Sequence, residues 1–266
     1  MSVAIVIPAR YASSRFPGKP LAPLRGAGGE VKTLLARSWE AAKAVTGVDK
    51  VLVATDDTRI ADEAMRIGAD IAMTAPEAAN GTERTAEALA AFDTPPDIVV
   101  NLQGDAPLTP PWFVEALIAS MRDAPEIHVA TPVLRCDQRA LDSFRDDRRA
   151  DRVGATTAVF DQTGRALYFS KEVIPYTDGR TFQEGECPVF HHVGVYAYRP
   201  AALKQYAAMS PGPLERLEGL EQLRFMENGV PVQCVEVDAC GATFWELNNP
   251  EDTPRVEAAL AERGIA

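Results

Sequence analysis

The sequence predicts an α/β fold, a mostly parallel sheet flanked by helices with a β-rich insert. Three observations carry this. In the first half of the chain short apolar runs alternate with helical patterns. The runs are continuously apolar rather than alternating, which marks strands buried on both faces. After about Thr131 the pattern turns β-rich, with few helices between the strands. The chain has 266 residues, 46% hydrophobic and 24% charged, close to the globular average. It reads as a single domain over 1–266, with the insert around 135–200 as a dimerisation arm.

In order, Val3–Ile7, Val51–Ala54 and Asp97–Asn101 read as buried strands. Thr33–Val45, Thr58–Ile67 and Thr82–Ala91 read as the helices between and after them. Thr109 is expected to cap a helix that has Pro110 in its first turn and runs to Met121. His128–Val133, Val153–Phe160, Arg165–Phe169 and His192–Tyr198 are expected strands. Phe144–Arg152 is highly charged and reads as a loop, and Asp178–Pro188, with two glycines, as an exposed segment. Pro213–Asn228 and Pro250–Arg263 read as helices closed by Gly229 and Gly264.

Composition excludes several classes. Lys plus Arg is 27 against 38 Asp plus Glu, a net charge of −11. Such a chain is a poor general binder of nucleic acid or anionic membranes. No apolar run approaches a membrane span, and the opening run is too short for a signal peptide, which predicts a cytoplasmic protein. Cys136, Cys187, Cys234 and Cys240 form no C-x-x-C pair and read as buried thiols. The adjacent His191 and His192 enter a strand, so they point to opposite faces and do not form a metal pair.

Four segments carry chemistry. The first strand leads into Pro8-Ala9-Arg10-Tyr11-Ala12-Ser13-Ser14-Arg15-Phe16-Pro17-Gly18-Lys19-Pro20, at the end of a parallel strand where α/β sheets bind ligands. Arg10, Arg15, Lys19 and Arg25 all precede the first acidic residue, Glu30. A basic loop with small residues in an acidic chain is suited to a polyphosphate. The usual phosphate and dinucleotide fingerprints are absent. Asn101-Leu102-Gln103-Gly104-Asp105 follows another buried strand at the same edge. A carboxylate beside polyphosphate suits Mg²⁺, although G-D-x-P is also ordinary turn chemistry. Gly81-Thr82-Glu83-Arg84 opens a helix, with Thr82 as the expected N-cap and a nucleotide contact as the functional reading. In Pro213–Arg224 the leucines recur every third residue, the plain mark of an amphipathic core helix. On one helix Glu218 and Gln222 sit a turn apart and together suit a polyol.

These segments, with Ala166-Leu167-Tyr168-Phe169-Ser170 and His192-Val193-Gly194-Val195-Tyr196-Ala197-Tyr198-Arg199, occur in one order over nearly the whole chain. In that order they resemble the 3-deoxy-manno-octulosonate cytidylyltransferase (CMP-Kdo synthetase) family. The resemblance implies a Rossmann-like nucleotidyltransferase fold, Mg²⁺ as cofactor, CTP and a 3-deoxy-ulosonate as substrates, a homodimer, and a place in bacterial surface polysaccharide (lipopolysaccharide) synthesis. It implies Arg10, Lys19 and Asp105 as catalytic residues. Ala9, Arg10, Arg15, Lys19, Gly81, Thr82 and Arg84 are the implied nucleotide contacts. Gln103, Lys171, His192, Glu218 and Gln222 are the implied sugar contacts, and Asp105 with Asn248 the implied metal ligands.

Three positions depart from the family pattern. Asn248 stands where a second metal-binding aspartate is usual, Thr157 where a strand lysine is usual, and Lys171 where an arginine is usual. Lysine cannot reproduce the bidentate carboxylate grip of arginine. The alternatives are therefore the same fold activating an amino-octulosonate or sialic-acid-like sugar, or a non-catalytic nucleotide- or sugar-binding paralogue.

Overall fold

The structure, a computed structural model, describes residues 1–13, 16–152, 155–242, 246–247 and 249–266. In chain order its elements are β1 (Val3–Pro8), β2 (Pro23–Arg25), β3 (Val31–Thr33), α1 (Leu34–Lys43), β4 (Lys50–Thr55), α2 (Thr58–Arg66), β5 (Asp70–Met73), α3 (Gly81–Ala88), β6 (Ile98–Leu102) and α4 (Pro111–Asp123). They continue with β7 (Val129–Arg135), α5 (Gln138–Arg149), β8 (Thr157–Phe160), β9 (Ala166–Ser170), β10 (Phe190–His192), β11 (Val195–Tyr198), α6 (Pro200–Ala208), α7 (Pro213–Glu218), α8 (Leu223–Glu227), β12 (Gln233–Val237) and α9 (Thr253–Glu262).

The sheet order is β5-β4-β1-β6-β11-β7-β10-β8-β9, with β12 pairing parallel to β7. Strands β5, β4, β1 and β6 are all parallel, and β11 then joins β6 antiparallel. β1 and β6 are buried at every position, as helices on both faces require. Side chains alternate between two cores. Ile5 and Ile7 meet Leu35 of α1 and Phe113 and Leu117 of α4 on one face. Val6 meets Ala88 of α3, Leu203 of α6 and Phe225 of α8 on the other. The expected insert is continuous with this sheet, since β8 to β11 extend it through antiparallel pairs.

Several expectations need correction. Residues 138–149 form helix α5 where a loop was expected over Phe144–Arg152. Asp137 caps it, accepting from the Ala140 N–H at 2.7 Å, and Arg145–Asp142 and Arg149–Asp146 pair one turn apart. High charge hid a helix whose narrow apolar stripe, Leu141 with Ala140 and Phe144, packs on Cys136 and Cys187. The expected helix Pro213–Asn228 breaks at Gly219, which adopts φ 62° and ends α7. The α3 cap is Asn80, whose Oδ1 accepts the Glu83 N–H at 2.8 Å, rather than Thr82. Pro110, not Thr109, occupies the α4 cap, and Thr109 donates to the Ala106 carbonyl at 3.0 Å. The strand expected over His192–Tyr198 is two strands, β10 and β11. Cys240 is exposed, whereas the other three cysteines are buried. β2, β3, β5 and β12 were not anticipated, and Val153, the expected start of a strand, lies outside the described residues.

The interior carries a neutral histidine. His192 is 6% exposed, and burial pushes its pKa from 6.5 down to about 3. Its Nε2 lies 2.9 Å from the Thr131 hydroxyl, which donates onward to the Val195 carbonyl at 2.9 Å. The ring therefore donates from Nε2. A pKa lower in the folded than in the unfolded state adds stability above pH 6.5, and that stability is lost as pH falls from 6.5 toward about 3. The slope expected from this group is about 1.4 kcal/mol per pH unit. Urea unfolding of wild type and His192→Asn between about pH 7 and about pH 5 measures it. The wild type is expected to lose stability more steeply than the variant, and parallel curves would show that His192 is already charged when folded.

Candidate active site

A cleft of about 420 Å³ opens at the C-terminal ends of β1 and β6. Three walls form it: the loop after β1, the α3 start at 78–84, and the 219–222 turn facing Tyr196 of β11. Its floor depends on a close backbone approach. A Cβ on Gly104 would lie 2.8 Å from the Pro8 carbonyl oxygen, so only glycine lets the two strand ends converge.

Across that junction Lys19 Nζ meets Asp105 Oδ2 at 2.5 Å. Both side chains are largely covered, at 15% and 25% exposure. Lys19 starts a short 3₁₀ turn led by Gly18 at φ 71°. The Gly18 position lies against the Tyr11 ring, which in turn carries the Arg59 guanidinium 3.3 Å from its centre. Arg10 reaches from the same loop to the Ala79 carbonyl at 3.4 Å. The basic loop and the Asp105 turn, distant in sequence, thus share one edge.

The other walls hold a polar web. Glu221 accepts from the Thr82 N–H at 2.9 Å and from Gln103 Nε2 at 3.1 Å. Burial, the largest influence, raises its pKa above the ordinary carboxylate range. Gln222 is 1% exposed, its Oε1 accepts from the Tyr196 hydroxyl at 3.0 Å, and its Nε2 has no partner among the described residues. A Cβ on Gly81 would lie 2.8 Å from Gln103 Nε2, so glycine there leaves room for the amide.

Of the residues singled out in the sequence, Ala9, Arg10, Lys19, Gly81, Arg84, Gln103, Asp105 and Gln222 line the cleft. Arg84 is 2% exposed and is engaged by Asp56 at 3.2 Å and by the Thr74 hydroxyl, and burial lowers its pKa. Thr82 is buried beneath the rim, its hydroxyl 2.7 Å from that of Tyr198. His192 stands behind Tyr196, their ring centres 5.6 Å apart, and is not part of the lining. Glu218 and Lys171 also lie off it. The Glu218 carboxylate is taken up by the Ser170 hydroxyl at 2.7 Å and the Lys171 N–H at 2.9 Å. Thr157 is buried in the sheet and donates to the Glu172 carbonyl at 2.6 Å. Arg15 and Asn248 lie outside the described residues. The neighbouring Leu247 N–H donates to the Asp105 carbonyl at 2.9 Å, which brings that segment to Asp105. Asn249 stands at the cap of the short 3₁₀ turn 250–252 that leads into α9, and its N–H donates to Asp252 at 2.7 Å.

The sequence reading missed Glu221 and Tyr196. Pairing Glu218 with Gln222 assumed an unbroken helix, but the left-handed Gly219 turns the chain and presents Glu221 with Gln222 instead. A glycine inside a helical pattern was the available signal.

The profile of the family described as "Cytidylyltransferase" matches residues 4–236. The chain is 43% identical to the 3-deoxy-manno-octulosonate cytidylyltransferase of Maricaulis maris, covering 99% of both chains. It is 41% identical to that of Syntrophotalea carbinolica, over 100% of both. The solved structure of CMP:2-keto-3-deoxy-manno-octonic acid synthetase complexed with CTP is 34% identical, with a TM-score of 0.83 over 99% of this chain and 100% of that one. With matches of this extent, and with the ordered motifs meeting at one cleft, the chain belongs to the 3-deoxy-manno-octulosonate cytidylyltransferase family of nucleotidyltransferases.

Proposed function

We propose that this enzyme joins CMP from CTP to 3-deoxy-manno-octulosonate and releases pyrophosphate. The observation that carries the reading is the Lys19–Asp105 pair at the edge of the cleft, facing the donor and acceptor groups of Glu221 and Gln222. In the reaction an anomeric hydroxyl oxygen of the sugar acid bonds to the α-phosphorus of CTP. The bond from that phosphorus to the α,β-bridging oxygen breaks, pyrophosphate leaves with the electron pair, and the hydroxyl proton passes to water. Lys19 and Arg10 neutralise phosphate charge, and catalysis is mainly positioning and electrostatics. Glu221, Gln222 and Gln103 supply hydrogen bonds for a polyol, with the free Nε2 of Gln222 as a ready donor.

Asp105 fits Mg²⁺. Its carboxylate lines the cleft together with Lys19 and Arg10, the cationic side chains read as phosphate-binding. That donor set suits an ion completed by water and phosphate oxygens. When bound, Mg²⁺ would supply charge neutralisation on the triphosphate. Asp105 would hold it, with Asn248 as the second ligand implied by the family. In the free protein Lys19 and Asp105 neutralise each other, and both become available when the phosphate and its cation arrive together.

The proposed setting is the cytoplasm, where the product would feed bacterial surface polysaccharide synthesis. The proposed assembly is a homodimer. Leu217 at 83% exposure and Leu167 at 60% lie on α7 and β9, adjoining elements that a partner copy would cover.

Pyrophosphate release tests the assignment. CTP with 3-deoxy-manno-octulosonate is expected to outpace ATP or GTP, and this sugar to outpace amino-octulosonate and sialic-acid-like acids. Equal rates with a purine triphosphate would remove the cytidylyl assignment, and a faster relative sugar would reassign the acceptor. Lys19→Ala is expected to lower kcat/KM for CTP at least about tenfold, since a charge-assisted contact is worth roughly 1.5–3 kcal/mol.

A Gly81→Ala variant tests how the α3 start supports the Gln103–Glu221 pair. Its methyl would lie 2.8 Å from Gln103 Nε2 and 3.1 Å from the buried Asn101 Nδ2, so the Gln103 amide must shift and a modest loss of thermal stability is expected. The displaced Gln103 releases Glu221, and KM for the sugar is expected to rise more than KM for CTP. An unchanged sugar KM would show that Gln103 does not set this wall.

A further inference from the structure

Arg224 is 2% exposed and lies outside the cleft lining, yet it ties three elements together. Its Nε and Nη2 grip Glu215 of α7, each at 2.7 Å. Its Nη1 reaches Glu83 in the first turn of α3 at 2.8 Å. Its guanidinium lies 4.2 Å from the centre of the Tyr206 ring. The Tyr206 hydroxyl donates to the Glu221 carbonyl at 3.2 Å and accepts from the Asn80 amide at 3.0 Å. Glu227 fixes the start of α7 by accepting the Leu214 and Glu215 N–H groups at 2.9 and 3.0 Å.

The two ends of this web are opposite walls of one cleft. Asn80, Gly81 and Arg84 belong to the wall read as nucleotide-binding, and Glu221 with Gln222 to the wall read as sugar-binding. Glu221 itself accepts the Thr82 N–H, so movement of either wall pulls on the other. A planar fork is needed to hold Glu215 at two points and Glu83 at a third, which lysine cannot do.

We propose that Arg224 is a positioning residue that couples binding of the nucleotide at 80–84 to binding of the sugar acid at 221–222. This rests on the reading of the cleft given above. Occupancy of one wall fixes the web, so the second ligand meets a wall already ordered. Such coupling is reciprocal, and its factor is the ratio of one ligand's affinity with and without the other.

Calorimetry with an α,β-methylene analogue of CTP and with 3-deoxy-manno-octulosonate, each titrated alone and in the presence of the other, reads that factor. In wild type it is expected to be about fivefold or more, the usual range for coupled sites. In Arg224→Lys it is expected to fall toward one. Glu83→Ala, which removes the α3 acceptor of Arg224 and leaves the Glu215 grip, is expected to do the same in a folded protein. A merely structural role would lower the melting temperature and weaken both ligands while leaving the factor unchanged. An unchanged factor in the two variants, or in folded Glu83→Ala if Arg224→Lys fails to fold, overturns the proposal. So does a wild-type factor of one. Wild type that releases no pyrophosphate from CTP and this sugar overturns the functional reading and the coupling with it. Turnover with unchanged coupling overturns the coupling alone.

Discussion

The ion pair between Lys19 and Asp105 at 2.5 Å organises this molecule's working edge. It joins the loop after the first strand to the turn after the sixth, and it exists only because Gly104 lets the chain pass against the Pro8 carbonyl. The parallel register of β1 and β6, with Val6 opposite Asn101, brings the two strand ends level. The helices that cover the sheet hold that register through two separate cores. A cation and a carboxylate this close neutralise each other, which lets them sit largely covered. That mutual neutrality also means neither is spent on a permanent structural bond elsewhere, unlike Arg84, which Asp56 and Thr74 engage.

Much of this was legible in the sequence, for a definite reason. Strands β1, β4 and β6 are buried on both faces, so their continuous apolar runs stand out against polar helix faces. The basic loop stood out because an acid-free opening is unusual in a chain of net charge −11. Helix α5 was not legible. One fully buried side chain, Leu141, anchors it, and its stability draws on Asp137 at the cap and on charge pairs that composition alone does not separate from a solvated loop. The short inner strand β10, between β7 and β8, merged with β11 in the pattern because three residues carry too little period to register.

The candidate site divides along the same line. Lys19, Arg10 and Asp105 follow strand ends and could be placed by topology. Glu221 and Tyr196 could not, because their position depends on a backbone reversal at Gly219 and on β11 running antiparallel beside β6, with Tyr196 opposite Asn101. Likewise Glu218 faces Ser170 and Lys171 rather than the cleft, a consequence of that same reversal.

The arrangement also explains how one cleft serves two chemically different ligands. The phosphate-facing wall carries its charge on long side chains, Lys19 paired with Asp105 and Arg10 reaching the Ala79 carbonyl. The opposite wall is built from groups already bonded to one another: Glu221 to Thr82 and Gln103, and Gln222 to Tyr196. Behind Tyr196 stands the buried, neutral His192 with the Phe169 ring 4.9 Å away, a packing that fixes the tyrosine without adding charge. Recognition of hydroxyl groups depends on donors and acceptors held at fixed positions, because an unmet buried polar group is costly. Selectivity for the sugar therefore resides in this hydrogen-bonded web, and grip on the triphosphate in the charged loop.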